Sequence, residues 1–146
     1  MIITLGSDHA GFPLKEAIKK HLQEEGYTVI DEGTYSLDSV DYPVYAKKAA
    51  DDIISKKADL GILCCGTGEG ISIAANKIKG IRCGIGYDLE VTKLCRMHND
   101  ANMIAFGARF MKEEDVLPRV DAFLSTSFLG GRHEKRVDEI KSFENC

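Results

Sequence analysis

Tryptophan is absent from the 146 residues and proline occurs only three times. Neither sign of charge dominates, with 19 Lys and Arg against 23 Asp and Glu for a net charge of -4. So small an acidic excess argues against broad nucleic-acid binding, because a phosphate backbone attracts basic surfaces, and it leaves small anionic ligands open. Long hydrophobic runs are missing too. The longest uncharged stretch is the ten residues from Ala122 to Gly131, far below the roughly 18 to 20 apolar residues that cross a bilayer. The segment Met1 to Gly6 lacks a basic leader and meets Asp8 at once, so no secretion signal is expected and the protein is placed in the cytoplasm. Five cysteines, at 64, 65, 83, 95 and 146, form no CxxC pair. That count fits neither a disulfide framework nor a zinc ribbon, and free thiols in a reducing compartment are expected. Length and an apolar share of 44% suit one globular domain covering residues 1–146.

What is present alternates regularly. A strand at Ile2 to Leu5 leads into Gly6-Ser7-Asp8-His9-Ala10-Gly11, and Pro13 opens a helix with Leu14, Ala17, Ile18 and Leu22 on one face. Tyr27 to Asp31 reads as a strand and Pro43 starts a second helix. The strand Leu60 to Cys64, a glycine turn over 66–70 and a helix from Ile71 to Ile78 follow. Strands at 81–85 and 102–106 then alternate with helices at 89–97 and 113–124. These strands are too uniformly apolar for one wet face. The predicted fold is therefore α/β, a three-layer αβα sandwich around a Rossmann-like, five-stranded parallel sheet. Ligands of such sheets bind beyond the carboxyl ends of the strands, which singles out the loops 6–13, 31–43, 65–70, 86–88 and 107–112. A helical tail, 130–146, carries Arg132, His133, Lys135, Arg136 and Lys141, a basic segment on an acidic chain.

The strongest chemical signal is Cys64-Cys65-Gly66-Thr67-Gly68-Glu69-Gly70. Backbone N–H groups in such a turn converge, and the positive end of the next helix favours an anion there. A thiolate is favoured in that field, so Cys65 is a candidate base or nucleophile, with buried packing as the plain alternative. A dinucleotide site fits poorly, since the spacing is GxGxG and Gly-Lys-Ser/Thr is absent. Asp8-His9 and His98-Asn99-Asp100 are polar clusters at element ends. Cys65, His9 and His98 show no usual metal spacing, and no metal or cofactor is expected. Arg132 and Arg136 are four apart, so on a helix they present two guanidinium forks to one phosphate. Pairing with Glu134, Asp138 and Glu139 on a solvated helix would explain them equally well.

Gly6–Gly11, Asp41-Tyr42-Pro43, Cys65–Lys77, His98–Asn102 and Gly130-Gly131-Arg132-His133 occur in an order and spacing that closely resemble the type B ribose-5-phosphate isomerases. The resemblance implies interconversion of ribose 5-phosphate and ribulose 5-phosphate without a metal, in a homodimer or homotetramer with the active site shared between subunits. It implies that Cys65 is the base that moves a proton between C2 and C1. Gly66, Thr67, Gly68, Glu69 and Gly70 would hold the enediolate, with the Thr67 hydroxyl assisting. His98 would donate a proton in ring opening near Asp8, and Asn99 would orient the intermediate. Arg132 and Arg136, supported by His9 and Arg109, would hold the phosphate, and the tail would reach the neighbouring subunit.

Some family members use a glutamate just after the loop; Ile71 stands there, leaving only the cysteine route. Cys64 and Glu69 are unusual at their positions, Cys64 as a second oxidisable thiol and Glu69 as a negative charge expected to face solvent. A phosphorylated hexose, allose 6-phosphate or galactose 6-phosphate, is the alternative substrate. A non-catalytic sugar-phosphate or nucleotide-binding module is the alternative of another class.

Overall fold

The computed structural model describes residues 1–145, so the fifth cysteine, Cys146, lies outside them. Five strands, β1 (Ile2–Ser7), β2 (Thr28–Asp31), β3 (Leu60–Cys65), β4 (Cys83–Ile85) and β5 (Met103–Gly107), form one sheet in the order β2-β1-β3-β5-β4, and every pairing is parallel. The helices between and after them are α1 (Phe12–Glu24), α2 (Tyr42–Ile54), α3 (Glu69–Asn76), α4 (Leu89–Asn99), α5 (Glu113–Ser125) and α6 (Arg132–Ser142), closed by a 3₁₀ turn at Phe143–Asn145.

Strand alternation divides the core. Ile3, Leu5, Ile62, Cys64, Ile104 and Phe106 face the layer of α1 and α5. Leu63, Cys65, Met103 and Ala105 face α2 and α3, where Ala46, Ala49, Ala50 and Ala75 bring the helices close. Burying each large side chain stabilises the fold by about 1.5–3 kcal/mol, and both faces are covered, as an all-parallel sheet requires. Neighbouring cysteines are thereby sent to opposite layers. Among the described residues no helix is long and apolar enough to cross a membrane.

The expected architecture holds, with local corrections. Strand β3 extends through Cys65, and α3 begins at Glu69, two residues earlier than predicted, because Gly68 at φ 84° makes the turn that admits the helix. Ile81 is not in a strand: its N–H closes a turn onto the Ile78 carbonyl, which leaves β4 only three residues. Helix α4 is capped by the Asp88 carboxylate, which accepts from the Val91 N–H at 3.0 Å, and it runs on through Asn99. His98 and Asn99 thus belong to a helix end rather than to a loop before β5.

Because β1 connects to β2 on one side while β3 lies on the other, the topological switch falls between β1 and β3. There Ser7 pairs with Cys64, and the Asp8 N–H donates to the Cys64 carbonyl at 3.3 Å.

Candidate active site

Two groups of predicted residues occupy opposite ends of the sheet. At the carboxyl end, β1 delivers Asp8 and His9, β3 delivers Cys65 and its glycine turn, and β5 delivers Arg109. Asp8 is buried, and one of its oxygens accepts the Gly11 N–H at 2.9 Å, fixing the β1–α1 turn. His9 accepts the Val40 N–H on Nδ1 at 3.2 Å, so a neutral ring carries its proton on Nε2 and offers that N–H outward.

Cys65 is 4% exposed, and its Sγ accepts the Gly68 N–H at 3.1 Å. Thr67 is exposed, with its Oγ1 accepting the Glu69 N–H at 3.1 Å, and Glu69 is exposed at the first turn of α3, as expected. The turn is clamped from below: the Ala108 and Arg109 N–H groups donate to the carbonyls of Cys65 and Gly66 at 2.9 and 3.0 Å. A Cβ on Gly66 would stand 3.2 Å from the Arg109 guanidinium, which lies along the turn, and one on Gly70 would stand 2.6 Å from the Tyr42 ring. Glycine is needed at Gly70 for that close approach.

Cys64 contrasts with its neighbour. It is 1% exposed in the α1 and α5 layer, and burial pushes its thiol far above the ordinary range, with Cys65 and Asp8 adding and only Lys15 opposing. The structure gives Cys64 the role of packing under Gly11, where a Cβ would meet its carbonyl at 2.3 Å. A readily oxidised second thiol, expected from the sequence, is not what this burial provides. Cys95, on α4, is also pushed up, to about 11, chiefly by burial.

At the amino end of the sheet, α4 finishes with His98 and Asn99 and α6 starts with Arg132 and His133. Helix α4 leaves the carboxyl end of β4 at Leu89, so His98 is displaced along the helix axis from that end by roughly 14 Å at 1.5 Å per residue. Asp100, in a left-handed cap at φ 47°, is gripped by Arg82 Nη2 and Arg96 Nη1, each at 3.2 Å. Arg82 Nε also donates to the Asn99 carbonyl at 3.0 Å. Those contacts fix the backbone of the His98-Asn99 pair. The His98 and His133 rings stack with centroids 4.1 Å apart and planes 12° apart. His133 is pushed below the ordinary imidazole range by desolvation and by the positive charges of His98, Arg132 and Arg136.

Sequence reasoning missed Lys15, whose place on α1 reads as a surface position. It is 1% exposed, with Nζ 2.7 Å from Asp31 and 3.0 Å from Glu16. Burial alone would raise Asp31, but hydrogen bonds from Lys15, Lys19 and the Gly33 N–H outweigh it and hold the carboxyl below its usual range. Among the described residues, the set that could hold a metal is also elsewhere: His21, Glu25 and Asp121 place ligand atoms within 4.8 Å of one another, with His21 Nε2 2.8 Å from Asp121 and 3.2 Å from Glu25. A cavity of about 610 Å³ opens beside β4, lined by Ile78, Arg82, Cys95, Ile140 and Phe143, and touches the predicted site only through Asn99.

A profile of the ribose/galactose isomerase family matches residues 3–140. The ribose-5-phosphate isomerase B of Escherichia coli is 47% identical over 142 residues, 97% of this chain and 95% of that protein. A solved structure of Clostridium thermocellum ribose-5-phosphate isomerase B is 46% identical, covers 99% of this chain and 98% of its own, and superposes with a TM-score of 0.98. The Mycoplasma genitalium ribose-5-phosphate isomerase B, solved with bound ribulose-5-phosphate, is 38% identical with a TM-score of 0.94, covering 99% of this chain and 96% of its own. The chain belongs to the ribose/galactose isomerase family.

Proposed function

We propose that the protein interconverts D-ribose 5-phosphate and D-ribulose 5-phosphate, as an aldose-ketose isomerase working through an enediolate without a cofactor. The observation that carries this is the end of β3, where a thiol receiving the Gly68 N–H opens onto a turn of backbone donors, in a chain akin over its full length to isomerases of that name. The Cys65 thiolate takes the proton from C2 of the open-chain aldose. The electron pair of that C–H bond becomes the C1–C2 double bond, and the charge moves to the former carbonyl oxygen. Gly66 to Gly70 and the Thr67 hydroxyl stabilise this oxyanion. Returning the proton to C1, while the proton on O2 passes to the O1 oxyanion, gives the ketose with no net gain or loss of protons. Glu69 enters through its backbone N–H, its side chain being exposed.

His98 donates the proton that releases the ring oxygen, Asp8 sits beside the ring hydroxyls, and Asn99 orients the intermediate. Arg132 and Arg136 hold the phosphate with His9 and Arg109. His98 stands roughly 14 Å along α4 from the thiol end of its own chain. These roles therefore require a homo-oligomer, a dimer or a pair of dimers, in which the amino end of one chain meets the carboxyl end of another. The tail 130–146 then serves the partner's pocket. A cytoplasmic setting suits the four described cysteines, all free.

The test is turnover on a panel of ribose 5-phosphate, allose 6-phosphate and galactose 6-phosphate, with and without EDTA and in deuterated water. Preference for ribose 5-phosphate by kcat/KM, insensitivity to chelator and deuterium uptake at C2 or C1 are expected. A higher kcat/KM on a hexose phosphate would reassign the substrate. Binding without deuterium exchange would make the protein a carrier rather than an enzyme.

A further inference from the structure

The imidazole of His98 stands on the last turn of α4, and one face of its ring is stacked against a group from a different helix. The Arg82–Asp100–Arg96 clamp fixes the main chain beneath it, but no part of that clamp touches the ring. The ring itself meets His133, 35 positions later, in a near-parallel stack at 4.1 Å. We infer that His133 is a positioning residue for His98, holding the imidazole in the plane from which it meets a sugar bound at the thiol end of another chain. This rests on the role given to His98 above.

A histidine suits that task for a physical reason. Two flat rings in contact restrict rotation about the His98 side chain, as an aliphatic neighbour would not. Two imidazolium ions in such contact repel, so one proton is shared between the pair at most. The charged groups facing His133 are Arg132 and Arg136 on its own helix and His98 on α4, all positive or able to become so. On the remaining elements, Arg96 and Asp100 are engaged with each other, and Glu144 in the 3₁₀ turn accepts the Gly80 N–H. Desolvation first, then the positive surroundings, hold His133 below the ordinary imidazole range, so it faces His98 as a flat ring rather than as a second cation.

The experiment compares His133→Ala with His133→Phe, which retains a flat ring but has no titrating nitrogen. Kinetically, the alanine variant is expected to lose kcat on the order of tenfold with KM nearly unchanged, while phenylalanine keeps kcat within about twofold. The acidic limb of the kcat profile should move in both variants, because neither retains the second imidazole. Independently of turnover, NMR of the histidine rings should show cross-relaxation between His98 and His133 in the intact protein, and a rotationally averaged His98 ring in the alanine variant only. If no substrate is turned over, the function proposed above fails while the ring measurement still decides this inference. Absence of the His98–His133 cross-relaxation overturns it, as does wild-type kcat and pH profile in the alanine variant. Equal loss in both variants also overturns it, since His133 would then be acting through its nitrogens on the substrate.

Discussion

The two ends of the sheet are built by different means. At the carboxyl end two of the groups are locked by a backbone donor close in sequence: Gly11 holds Asp8 and Gly68 holds Cys65, three residues away in both cases. At the amino end the groups stand on helix termini and are held by distant partners, Arg82 on Asp100 across 18 residues and His133 on His98 across 35. One end is a buried thiol beside a glycine turn; the other is a surface of helix ends carrying stacked imidazoles and two arginines. The two groups stand apart within one chain, which is why the proposed reaction calls for a second copy.

Four changes and one control sharpen the contrast, the largest effect first. Cys65→Ala should lower kcat by about 10³-fold, the usual loss of a general base. Cys64→Ala should leave kcat near wild type and register only as a lower melting temperature, because that thiol packs under α1. Steady-state kinetics and thermal melts on the pair separate the two layers. Lys15→Met should cost about 2 kcal/mol in urea unfolding, since it removes the buried charge-assisted hydrogen bond to Asp31 and leaves that carboxylate to Lys19 and the Gly33 N–H. Its effect on KM should be small, as the network lies beneath the thiol end rather than in it.

Arg132→Ala should raise KM by on the order of tenfold, the loss of about 1.5 kcal/mol of charge-assisted hydrogen bonding, with a smaller change in kcat. The smallest effect is on acid stability. Asp31 has its folded pKa depressed by Lys15, Lys19 and the Gly33 N–H, so its contribution is complete above the unfolded value near 3.9 and is lost as pH falls through the folded one. In Asp31→Asn, equilibrium unfolding should therefore vary less with pH below about 4 than in the wild type.

Legibility followed the same division. Strand and helix order could be read because apolar strands and proline-opened helices are local signals, and the thiol turn could be read because its glycines are contiguous. The start of α3 was displaced by two residues because a left-handed Gly68 admits the helix sooner than the apolar pattern suggests. Ile81 reads as strand from its apolar side chain, although it is buried in a turn. Lys15 and the His98–His133 stack were invisible because each depends on a partner that only the tertiary fold brings near. The tail sequence left Arg132 and Arg136 balanced between phosphate binding and simple solvation; both are exposed on α6, the helix whose His133 stacks on His98.

Mixing two inactive proteins tests the divided site most directly. Cys65→Ala and His98→Ala chains, allowed to exchange subunits, should form hybrids in which one pocket has both defects and the other has neither. Activity on ribose 5-phosphate should return to about a quarter of wild type, half the molecules being hybrid and half their pockets intact, if subunits assort at random in dimers. No recovery, with exchange confirmed by mass spectrometry, would show that each chain uses its own Cys65 and His98 and would contradict the account.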